Sequence, residues 1–316
     1  MNPDDAPSTA IEPAAVTAAT HTTAPMEASC PPPLQWQEVL REVQQQSNHW
    51  TVERPGTTLS GMSLGDGPPI VFLNTLSEPR EVWFLLAWLL RDQYRCVLFD
   101  WRGIRTPNSA QVTLDLLVED LLAIVDHWPG QSNRLIATRF GGMVALGAMA
   151  QRPSQFLNLT WMGGYARREF SPTERLLVAL GKVWPFRARS LLGRRSILRQ
   201  NHRRWFPPFD ETRYDFLSDL TGQVPVKGLA RLASVVGQAD LRPLLPTISQ
   251  PVLLVGTEGQ GAALRAAGDA LAAALPNVRR EEMHNTGLIP ALTHPHRVAK
   301  IVRSFLDSLT MTPTTG

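Results

Sequence analysis

The chain has 316 residues, 43% hydrophobic and 19% charged, with 31 Lys and Arg against 28 Asp and Glu for a formal net charge of +3. That size and apolar content exclude a mostly disordered chain and suffice for one large core with an insertion or for two small domains. A charge this mild does not point to nucleic acid unless it is concentrated in one place. Two cysteines, Cys30 and Cys96, support neither a disulfide framework nor a metal site. No apolar run approaches the ~18 to 20 residues a membrane span needs.

Residues 1–33 are rich in Ala, Thr and Pro and carry Asp4, Asp5, Glu12 and Glu27 but no Lys or Arg. A secretory signal needs a basic start and an apolar core, and a transit peptide is Arg-rich. The stretch therefore reads as a disordered tail, and a cytoplasmic or peripheral-membrane location is expected. Leu34 to Gln46 has helical spacing, and Trp50 to Ser63 reads as two short strands broken at Pro55-Gly56. Ile70 to Asn74 is a continuous apolar run, the pattern of a strand covered on both faces. Glu81 to Arg91 carries the apolar face of a helix, Arg95 to Phe99 is a second buried strand, and Leu114 to His127 is an amphipathic helix.

The organising stretch is Leu135 to Gly164. An apolar strand runs into a tight turn, a small-residue helix opens at Gly141-Gly142 and stops by Pro153, and a strand from Leu157 to Met162 ends in Gly163-Gly164. Between Tyr165 and Ser249 the alternation of strand and helix stops. It resumes with Pro251 to Gly256, a helix from Gly261 to Leu275, a strand from Val278 to Met283 and a helix from Pro295 to Leu309. Alternation at this spacing predicts an α/β fold with a mostly parallel sheet and helices on both faces.

The strand-turn-helix at residues 135–151 resembles the nucleophile elbow (G-x-S-x-G) of the α/β-hydrolase fold family, and the turn Asp100-Trp101-Arg102-Gly103 is similar to that family's D-x-R-G turn. The resemblance covers Leu59 to Leu309. It implies an α/β-hydrolase core in two parts, 34–164 and 250–310, a helical cap insertion at 165–249, and a tail at 311–316. It also implies a nucleophile, a carboxylate and a histidine in that chain order. Laid onto the pattern, the nucleophile's place is Arg139, whose guanidinium cannot attack a carbonyl. The carboxylate's place is Gly259, with Glu258 one residue early. The histidine's place is Leu288, with His284 four residues away. The His-Gly places after the first parallel strand are Asn74 and Thr75.

Two readings follow from the resemblance. In the first the chain is a non-catalytic family member acting in binding or scaffolding, with a degenerate triad and a ligand site at Arg139, Phe140, Asn74 and Thr75. In the alternative it is an active, esterase-like hydrolase using displaced residues: Thr138 or Thr75 as nucleophile, or Glu258 with His284 activating water. An arginine at a helix N-terminus should need a partner. That partner is either Glu258, as an internal ion pair, or a bound carboxylate or phosphate.

The positive charge is concentrated. Residues 167–204 hold eleven Lys and Arg against Glu169 and Glu174, interleaved with Leu, Trp, Phe and Ile. Arg194, Arg195, Arg199, Arg203 and Arg204 are the centre of a candidate basic surface. An anionic membrane surface or a protein partner fits that composition, as does an ordinary cap with solvated arginines. Nucleic acid is a weaker fit, because no binding motif accompanies the charge. No cofactor is implied.

Overall fold

The computed structural model describes residues 35–105, 112–206 and 210–310. The expected tails at 1–33 and 311–316 and Cys30 lie outside them. Eight strands form one sheet in the order β1-β2-β4-β3-β5-β6-β7-β8. They are β1 (Asn48–Arg54), β2 (Thr57–Leu64), β3 (Pro69–Leu73), β4 (Arg95–Phe99), β5 (Asn133–Thr138), β6 (Phe156–Met162), β7 (Val252–Thr257) and β8 (Val278–Met283). β1 and β2 are the antiparallel hairpin, turned at Pro55-Gly56, and every pairing from β4 through β8 is parallel.

Both faces of the parallel strands are covered, which is why their sequences are apolar throughout rather than alternating. On β3, Val71 and Leu73 join one core layer and Ile70 and Phe72 the other; on β4, Val97 and Phe99 face opposite to Cys96 and Leu98. The period-2 alternation of side chains along a strand makes one continuous run serve two cores. α3 (Leu114–Asp126) and α4 (Phe140–Gln151) cover the first layer. α1 (Trp36–Gln46), α2 (Phe84–Leu90) and the carboxyl-terminal α11 (Pro295–Thr310) cover the second. The single helix expected over Glu81 to Arg91 is a 3-10 turn, Arg80–Trp83, leading into α2. In the Asp100 to Gly103 turn, the buried Arg102 is bidentate on Asp120 of α3 (2.6 and 2.5 Å), while Asp100 accepts from Arg105 and the Arg80 backbone. Those contacts make the turn structural.

Between β6 and β7 the described chain holds four α-helices: α5 (Pro172–Gly181), α6 (Arg194–His202), α7 (Thr212–Gly222) and α8 (Val226–Gln238). A capping box opens α5: Glu174 N donates to Ser171 Oγ and Ser171 N to the Glu174 carboxylate. Isolated bridges from Arg167 to Asp240 and from Arg187 to Pro225 tie this segment across itself. α9 (Gly261–Ala274) follows β7, and the short α10 (Pro290–Thr293) precedes α11.

Candidate functional site

The turn between β5 and α4 keeps the shape of a nucleophile elbow. Arg139 stands at its apex with φ 40° and ψ −108°, a conformation that costs a non-glycine residue on the order of 1 to 3 kcal/mol. Its neighbours hold it there: Arg139 N donates to Met162 O (2.9 Å) and Trp161 Nε1 donates to Arg139 O (2.8 Å). The glycines after the apex are needed for close approach. A Cβ on Gly141 would lie 2.3 Å from Leu73 O, and one on Gly142 would lie 2.0 Å from the Trp161 indole.

All three nitrogens of the Arg139 guanidinium are engaged. Nη2 pairs with Glu78, Nη1 donates to Leu288 O (3.1 Å) and Nε donates to Thr75 Oγ1 (3.4 Å). The expected Glu258 partner is therefore replaced by Glu78, which lies on the loop after β3, directly across the sheet edge from the elbow. Glu258 is exposed and its carboxylate accepts from Asn285 N (2.8 Å). Glu78 is 95% buried at its side chain and Arg139 is 17% exposed, so the pair sits at the floor of an opening rather than in solvent. Burial pushes the Glu78 carboxyl above the usual carboxylate range, against the attraction and hydrogen bond of Arg139.

That opening is a cavity of about 800 Å³ between the strand ends and the segment that follows β6. Thr75, Glu78, Arg139 and Leu288 form its floor. Tyr165, Arg194, Leu198 and His202 reach it from the other side. Arg194, Leu198 and His202 recur every fourth residue on α6, one face of a helix turned inward. Burial, reinforced by the charge of Arg139, pushes His202 down to about 4, so its imidazole is neutral at pH 7. Burial raises the Tyr165 hydroxyl, which stays protonated.

Of the ligand residues expected from sequence, Arg139 and Thr75 line the cavity, and Asn74 and Phe140 do not. Asn74 Nδ2 donates to Phe99 O (3.0 Å), and its side-chain oxygen accepts from Trp83 Nε1, so its amide is used up in bracing β3 against β4. The Phe140 ring is buried against Trp101. Thr138 is buried, with its hydroxyl unpartnered among the described residues, and it is not in the cavity wall. His284 is exposed and does not line the cavity either. At Gly259 and Gly287 the Trp205 indole packs so closely that a Cβ on Gly259 would lie 2.8 Å from it. A carboxylate side chain at 259 has no room there. Within the candidate basic surface, Arg194 turns inward to Ser218 O (2.7 Å) and Thr221 Oγ1 (2.5 Å), Arg203 pairs with Glu211, and Arg204 lies over the Trp205 ring. Arg195 and Arg199 are exposed.

Glu78, Tyr165, His202 and Trp205 were not singled out from sequence. Glu78 had a signal: it is the first acid after an apolar strand whose end faces the elbow. The other three come from the inserted segment, whose folding back has no short motif.

A sequence profile described as alpha/beta hydrolase fold matches residues 68–295, and the chain belongs to that family. It is 28% identical over 211 residues to 3-oxoadipate enol-lactonase 1 of Acinetobacter baylyi, covering 64% of this chain and 76% of that one. It is 28% identical over 263 residues to the pimeloyl-[acyl-carrier protein] methyl ester esterase of Methylococcus capsulatus, covering 77% and 96%. Among solved structures, a thermophilic esterase from Thermogutta terrifontis superposes with a TM-score of 0.70 at 20% identity over 83% of this chain and 98% of that one. The enol-lactonase of Burkholderia xenovorans gives 0.69 at 23% over 82% and 100%. Among the described residues no group of His, Cys, Asp and Glu could hold a metal ion, and no helix is long and apolar enough to cross a membrane.

Proposed function

We propose that this chain is a binding member of the α/β-hydrolase family, taking a partly apolar, carboxylate-bearing ligand in the cavity above residue 139 without acyl transfer from that residue. The observation that carries the reading is the Arg139–Glu78 pair. A guanidinium stands where the elbow would present a nucleophile, and its three nitrogens are already engaged. The wall supplies Leu198, Leu264 and Ile289 for an acyl or aryl body and Arg194 for an anionic end. Titration of medium-chain carboxylates followed by calorimetry, beside turnover of a short p-nitrophenyl ester and labelling by a fluorophosphonate, tests it. Saturable binding with no turnover and no label is expected. Turnover that survives purification and disappears in a cavity variant would refute it.

A second reading is favoured by the relatives, whose names are those of a lactonase and an esterase: an active hydrolase working through displaced residues. These names speak for hydrolysis more than for a silent site, whereas the occupied elbow speaks for binding. Hydrolysis here would use the neutral His202 imidazole as general base on water, with the Tyr165 hydroxyl available to an oxyanion. Loss of ester turnover in His202→Gln, with binding retained, would establish this reading over the first.

A further inference from the structure

Ten large hydrophobic side chains are exposed among the described residues, and nine of them fall between Leu176 and Ile197. Outside this stretch the described residues add only Leu157 to the set. Leu176 and Leu177 stand on α5, Val183, Phe186 and Leu192 on the connection that follows, and Ile197 on α6; Leu192 is 100% exposed. The inward faces of the same elements are already satisfied: Gly181 packs on Ala230, and Arg194, Leu198 and His202 look into the cavity. The outward apolar residues are thus surplus to the fold. A concentration of this kind marks an interaction surface.

Charge selects the occupant. Arg175, Arg189, Arg195 and Arg199 are exposed on the same elements and make no ion pair among the described residues. Glu174 is held by Arg168 and by the Ser171 backbone. A second copy meeting this surface through a two-fold axis would set arginine against arginine. An anionic bilayer supplies what the surface lacks. Apolar and aromatic side chains enter the acyl boundary while guanidinium groups stay with the phosphates. Trp184 and Phe186, in edge contact at 6.0 Å, belong to the residue types that favour that boundary.

We infer that the surface formed by α5, residues 182–193 and the outer face of α6 docks on anionic phospholipid bilayers as a peripheral contact. On α6 the surface takes Arg195, Ile197 and Arg199 while the cavity takes Arg194, Leu198 and His202, and Leu191 borders both.

The test is co-sedimentation of the full chain with vesicles of phosphatidylcholine alone and of phosphatidylcholine mixed with phosphatidylglycerol. Two variants accompany it, Val183→Ser/Phe186→Ser/Leu192→Ser and Arg195→Gln/Arg199→Gln. Each changes exposed side chains only, and unchanged thermal melts will confirm that both fold. Capture on the mixed vesicles is expected, falling as salt rises from ~0.1 M to ~1 M because the Debye length drops from ~10 Å to ~3 Å. At ~1 kcal/mol per arginine near an anionic surface, the arginine variant should lose roughly tenfold or more in partitioning. The serine variant should lose at least as much at any salt. Absence of capture, equal capture on neutral vesicles, or wild-type capture by both variants would overturn the inference. So would a dimer in analytical ultracentrifugation that the serine variant dissolves, or capture of an acidic protein in place of the vesicles.

Discussion

Replacing Glu78 by Gln perturbs the one contact on which the character of the site depends. The amide keeps the shape and a hydrogen-bond acceptor but removes the charge opposite Arg139. Breaking a buried pair from one side costs on the order of 3 to 5 kcal/mol, because the remaining charge is left uncompensated. Arg139 retains 17% side-chain exposure and two further acceptors, Leu288 O and Thr75 Oγ1, which places the expected loss at the lower end, about 3 kcal/mol. A loss of that size lowers the melting temperature by roughly 6 to 12 °C, at ~2 to 4 °C per kcal/mol. Glu258→Gln, at an exposed loop acid, should stay within about 0.5 kcal/mol. Urea denaturation of Glu78→Gln, Arg139→Gln and the double variant gives the coupling energy directly, and the double variant should be more stable than Glu78→Gln because no charge is left unpaired. A Glu78→Gln variant within 0.5 kcal/mol of wild type, or a double variant no better than the single, would refute the buried-pair account.

His202 provides a pH signature. Its imidazole is depressed to about 4, so the stability it contributes is present above 6.5 and lost as pH falls toward 4. Over that interval wild type should lose at most about 3 kcal/mol relative to His202→Gln, read from melts between those limits. Gly142→Ala should destabilise by roughly 1 to 3 kcal/mol in urea, since its Cβ would meet the fully buried Trp161 ring at 2.0 Å. Gly268→Ala, on α9 with nothing within 4 Å, should be neutral or stabilise by up to about 1 kcal/mol. The Cys96 thiol is buried, and burial raises it well above the usual thiol range, so peptide mapping after maleimide treatment should find it unlabelled in native buffer and labelled in urea. Native labelling of Cys96 would show that α2 opens from β4.

The sheet was legible in the sequence because its signals are local. Ile70 to Asn74, Arg95 to Phe99 and Pro251 to Gly256 are apolar without alternation, which only a strand covered on both faces requires, and Gly141-Gly142 marks where α4 must nearly touch β3 and β6. The apex residue of the turn, Arg139, was equally plain, since it is a matter of register against the glycines that follow. What sequence could not decide was the partner of Arg139. Glu258 and Glu78 both follow strands whose carboxyl ends meet at the same edge, and the choice rests on the direction in which each loop leaves the sheet. The loop after β3 folds inward and desolvates Glu78, while the residue after β7 turns its carboxylate out to the Asn285 backbone. The second decision made by tertiary structure concerns residues 165–249. Their composition announced helices, apolar residues and arginines, but helical spacing alone does not say which face is inward. On α6 the stripe of Arg194, Leu198 and His202 is turned to the cavity, and Ile197, Arg195 and Arg199 are left outside. An amphipathic pattern fixes which residues share a face; only packing against the rest of the chain determines which face is buried.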